Sequence, residues 1–158
     1  MRLLTLTTAL VLAAGVAAAE TVLPADVTYG EYGEVTVSLS GKAGDPAEGA
    51  AIMASKKRGN CISCHAVTAL NDSPFHGEVG PILDGIGSNR SEAEIRGIVA
   101  DAKMTFDESM MPSFYKTTGY IRPGAAYTGK APTEELTPLL SAQDIEDVVA
   151  FLLTLKDS

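Results

Sequence analysis

Cys61-Ile62-Ser63-Cys64-His65 places two thiols and an imidazole within one short stretch. Two cysteines separated by two residues can cycle between thiols and a disulfide. With histidine directly after the second, however, the spacing is that of covalent haem attachment. The expected cofactor is one covalently bound haem c. Cys61 and Cys64 form its thioethers, and His65 is held beside the iron as the proximal ligand. A ligating imidazole gives one nitrogen to the metal and generally donates its other N–H to a carbonyl or carboxylate, which sets its orientation and basicity. The chain has two cysteines in all, so none is left over for a disulfide.

A sixth ligand must come from elsewhere, and a thioether paired with imidazole raises the potential of electron-transfer haem proteins. Of five methionines, Met1 opens the chain and Met53 falls inside a predicted helix, leaving Met104, Met110 and Met111. Methionine is also a common core filler, so a methionine on a loop is not a ligand by that fact alone. Met111 is favoured because Pro112 follows it and biases its backbone toward an extended form that presents the side chain. Met110 is the alternative. His76, the other histidine, lies beside Pro74 and Gly77 and reads as a solvated residue. It is too near the attachment motif to reach the opposite face of the haem.

Few elements are available to position these groups. Asp45-Pro46-Ala47-Glu48 combines a cap residue, a proline at the first helical position and an acid three residues after the cap. The helix it opens is predicted to run from about Pro46 to Arg58, with Lys56, Lys57 and Arg58 in its last turn and Gly59 as terminator. Ser91-Glu92-Ala93-Glu94 is a capping box opening a second helix, with Ile95, Ile98, Val99 and Ala102 on one face. A third begins at Ser141, and Ile145, Val148, Val149, Leu152 and Leu153 form its apolar stripe. The segment from Lys103 to Pro138, dense in Gly, Pro, Thr and Met, is too long for an ordinary connection, and loops of that length are usually functional. From Glu20 to Gly44 helix signals are sparse. Val35, Val37 and Leu39 alternate with Thr36 and Ser38 in the pattern of a short strand, whose apolar face needs a cover from the domain or from a partner.

The opening residues carry one charge, Arg2, then an apolar run and the small triplet Ala17-Ala18-Ala19 before Glu20. That is the pattern of a cleaved signal peptide over residues 1–19, with a retained membrane anchor as the rival. Cleavage takes 19 of 158 residues and leaves 139, enough for one domain with its own core. The expected division is signal peptide 1–19, extended leader 20–44 with possible partner contact, and haem domain 45–158. Export implies the periplasm and no stable membrane insertion after cleavage. Losing Arg2 takes the net charge from −8 to −9, which argues against nucleic acid as a partner.

A haem motif after a first helix, Gly80-Pro81-Ile82-Leu83 further on, Met111-Pro112 on a late loop and a closing helix together resemble class I cytochrome c. The resemblance implies an all-α fold packed around one covalent haem. It also implies first and last helices in contact through Gly49, Met53, Phe151 and Leu152, the carbonyl of Pro81 as acceptor for His65, and Met111 at the iron. The stretches Arg96 to Lys103, Met110 to Tyr115 and Leu139 to Leu152 jointly resemble the SoxX family, the monohaem subunits of SoxAX complexes. That likeness implies a heterodimer with a larger SoxA-type haem subunit, at which thiosulfate is joined oxidatively to a carrier-protein cysteine. The chain would take up the released electrons and pass them to a soluble acceptor. Its enzyme role would be that of the electron-transfer subunit of an L-cysteine S-thiosulfotransferase complex, with no catalytic residue of its own. The alternative is a free-standing class I electron carrier.

Overall fold

The computed structural model describes residues 20–121, 123–124, 128–132 and 135–157, so the expected signal peptide lies outside the described residues. Their regular structure is helical, with no β-strand among the described residues: α1 Pro46–Ala54, α2 Ile86–Asn89, α3 Glu92–Asp101 and α4 Ala142–Thr154. None of these helices is long and apolar enough to cross a membrane.

The caps behave as their residue types dictate. Asp45 accepts from the Ala47 N–H at 2.8 Å, with Pro46 at the first helical position. Ser91 with Glu94, and Ser141 with Asp144, each form a reciprocal capping box. On α4, Ile145, Val148, Val149 and Leu152 are buried along the predicted stripe. Single-turn α2 has no such signal and was not expected.

α1 stops at Ala54 rather than near Arg58. The Gly59 N–H takes the Ile52 carbonyl at 3.2 Å, the acceptor that Lys56 would use if the helix continued. Arg58 is thereby released to reach Glu48 and Asp144, bridging the starts of α1 and α4. These two helices cross at Gly49, where an added Cβ would overlap the Asp147 carbonyl. Only glycine allows that approach.

Residues 20–44 do not form the expected strand. Val35 and Leu39 are buried while Val37 is 63% exposed, whereas a strand would put all three on one face. The segment instead lies along α3 and α4. The Val35 N–H donates to Ala93 O at 2.9 Å, and the Leu39 N–H donates to Glu146 Oε1 at 2.7 Å. Arg96 completes the junction, donating from Nε to Glu146 Oε1 at 2.9 Å and from Nη1 to Val35 O at 3.0 Å. Both charges are buried, which is tolerable because each is paired and further hydrogen-bonded. α3 is thus covered on two sides, and Arg96, Gly97 and Ala100 are buried along with the predicted Ile95 and Val99.

Candidate haem-binding site

The attachment motif is a tight turn seated on the core. Asn60 adopts a left-handed conformation and Cys61–Ser63 form one 3-10 turn. The N–H groups of Cys64 and His65 both donate to Cys61 O, at 3.1 and 3.0 Å. Ile62, between the cysteines, is buried in the main core cluster and anchors the turn. Both cysteines are half-buried, and Cys61 packs against that same cluster.

His65 is oriented by a second strip of chain. Its Nδ1–H donates to Pro81 O at 2.7 Å, which leaves Nε2 as the nitrogen available to a metal. The strip is held in place by the Gly80 N–H on Cys64 O at 2.8 Å and the Leu83 N–H on Ala66 O at 3.0 Å. Gly80 lies flat against the imidazole, and a Cβ there would overlap the ring. Asp84 caps the following turn through the Thr68 N–H and hydroxyl, whose hydrogen bonds hold its carboxyl below the usual range.

His76 is not the solvated residue its surroundings suggested. It is half-buried, with Nδ1 accepting from the Val67 N–H at 3.1 Å and Nε2–H donating to Leu70 O at 3.2 Å. Both ring nitrogens are spent on main chain just beyond the motif. No local signal marked this role.

The methionines separate by environment. Met53 is buried in α1, whereas Met110 is 84% exposed and Met104 lies on the surface. Met111 is half-buried against the core cluster that also receives Cys61. Its N–H donates to Ser109 Oγ at 3.2 Å and its carbonyl accepts from Lys103 Nζ at 2.6 Å. The donor set therefore suits haem c: two thiols on one turn, an imidazole with its far nitrogen tied down, and a thioether on a constrained loop.

The cytochrome c family model matches residues 46–156. No curated protein sequence matches the chain. Among solved structures, a chain of SoxXA from P. pantotrophus is 52% identical, with a TM-score of 0.81, over 85% of this chain and 98% of that one. A motif of two thiols and an oriented imidazole, carried on this fold and matched over this length, has one consistent reading: the chain belongs to the cytochrome c family, of the kind represented in SoxXA, and binds haem c covalently.

Proposed function

We propose that the chain is the periplasmic electron-transfer subunit of a SoxAX-type complex. In this reading Cys61 and Cys64 carry the haem, His65 and Met111 are its axial ligands, and a larger SoxA-type haem subunit is the partner. The observation that carries it is the 52% identity to a chain of SoxXA across nearly all of that chain.

When bound, the haem supplies a one-electron iron couple, and pairing imidazole with thioether raises its potential. The chain's residues provide the setting. Pro81 O holds the Nδ1–H of His65, fixing the ring and increasing its basicity. Ile62 and Val67 seat the motif in an apolar core, which limits water on that side. Joining thiosulfate to a carrier cysteine makes one sulfur–sulfur bond and releases the thiol proton and two electrons. A subunit with one haem carries those electrons singly, in two cycles, to a soluble acceptor. The thiosulfate chemistry itself belongs to the partner.

Two experiments test the reading. Protein purified from its native cell is expected to elute as a heterodimer with a second haem protein; a stable monomer would replace the subunit with a free-standing carrier. Ferric Met111→Ala is expected to lose the weak far-red band of an iron–thioether bond while Met110→Ala keeps it. The opposite result would transfer the ligand to Met110, and persistence in both would exclude the pair.

A further inference from the structure

The sequence stretches Arg96 to Lys103 and Met110 to Tyr115 meet in the fold. Residues Ala100 to Lys103, where α3 ends, hold residues 111 to 116 at four points. The Tyr115 N–H donates to Ala100 O at 2.9 Å, and Ser113 Oγ donates to Asp101 Oδ1 at 2.6 Å. Lys116 Nζ lies 3.4 Å from Asp101 Oδ2, and Lys103 Nζ donates to Met111 O at 2.6 Å. Asp101 and Ser113 are buried, so this carboxylate sits where only paired groups are tolerated. Asp101 Oδ1 also accepts from the Lys103 N–H at 3.2 Å, so one carboxylate orients both the methionine loop and the turn bearing the lysine.

We propose that Asp101 and Lys103 are positioning residues that hold Met111 at the haem iron and so set the strength of the sixth ligand; this rests on Met111 being that ligand. A thioether is a soft, neutral donor and binds ferric iron weakly. The fraction of time it is released is therefore governed by how strongly the protein holds its loop. No helix or strand is described between Met104 and Ala142, so the loop draws its order from side-chain and main-chain anchors. A charged donor on the carbonyl of Met111 itself is the most direct of these, and hydrogen bonds of this charged kind are about twice as strong as neutral ones. An added ligand that competes for the iron reads the same equilibrium, because its apparent affinity scales with the fraction of protein whose methionine is off.

The test is imidazole binding to the ferric holoprotein, read together with the far-red band and the reduction potential. Lys103→Met keeps the aliphatic stem and removes the donor. It is expected to bind imidazole at least fivefold more tightly, with a weaker band and a lower potential. Lys103→Arg, which keeps a charged donor, is expected to stay within about twofold of the parent. Asp101→Asn should change in the direction of Lys103→Met; should it not fold, the two Lys103 variants decide alone. Asp45→Ala, which removes the cap of α1, controls for general loss of stability, and an equal gain in imidazole affinity there would overturn the proposal. Unchanged imidazole affinity in Lys103→Met, with the band lost in Met111→Ala, would overturn it while leaving the ligand assignment standing. A band that survives in Met111→Ala would remove the ligand assignment and the positioning role with it.

Discussion

The imidazole of His65 is fixed from two directions, by the Pro81 carbonyl at 2.7 Å and by the flat face of Gly80. Hydrogen bonding decides which nitrogen is left unpaired, and the missing Cβ decides where the ring can lie. Gly80→Ala would drive a methyl group into the ring, and overpacking of this kind costs about 1–3 kcal/mol. We expect a lower unfolding midpoint together with a changed reduction potential, because the tilted imidazole loses its bond to Pro81. Equilibrium denaturation and redox titration of the holoprotein check this; a variant with the parent's potential would show that the ring has room to spare. The motif residues were legible from sequence because they lie in one short contiguous stretch, whereas Gly80-Pro81 was marked by the resemblance to class I cytochrome c. The double use of His76 was not, since its partners Val67 and Leu70 are main-chain groups whose approach depends on the path of the loop.

Among the elements, the two capping boxes make a prediction about acid. In Glu94, the Ser91 backbone N–H and hydroxyl hold the carboxyl below the ordinary range. In Asp144, burial alone would raise the carboxyl, but the Ser141 N–H and hydroxyl and the Arg58 guanidinium outweigh it and the result is again a lowering. A carboxylate lowered in the folded state binds protons more readily when unfolded. Its contribution is therefore complete above the unfolded value of about 4 and is lost as pH falls through the folded value. Ser141→Ala is expected to cost about 1 kcal/mol at neutral pH and to make the acid transition shallower. Urea titrations at several pH values measure both, and an acid profile parallel to the parent's would remove the cap from this role. Arg58 also shows why α1 is shorter than its basic last turn implied. Its charge is used between helices, on Glu48 and Asp144, rather than on the carbonyls of its own helix.

At the scale of the whole molecule, residues 20–44 are bound into the core that carries the haem motif. Val35 and Leu39 belong to the same buried cluster as Ile62 and Ile145, and the Arg96–Glu146 pair ties their backbone to both α3 and α4. Leu39→Ala is expected to destabilise by about 2–5 kcal/mol, while Val37→Ala, at an exposed position, should stay within about 0.5 kcal/mol. Denaturant midpoints separate the two. Equal effects would restore a strand-like face on which all three residues share one environment. Deleting residues 20–40 is accordingly expected to impair folding.

What could be known from sequence alone was what is local. The haem motif, the caps at Ser91 and Ser141, and the 3.6-residue stripe of α4 each sit within a few turns of chain, where backbone geometry ties spacing to direction. The tertiary structure decided whatever depends on two distant surfaces meeting. α3 carries a visible apolar face toward the core, but its second buried side exists only because Gly33 to Leu39 lies across it. The pairing of Arg96 with Glu146, and the grip of Asp101 and Lys103 on the methionine loop, join charged residues that would read as solvated in isolation. A charge carries no mark in the sequence of whether it will meet water or a partner, because that is settled by packing between elements far apart along the chain.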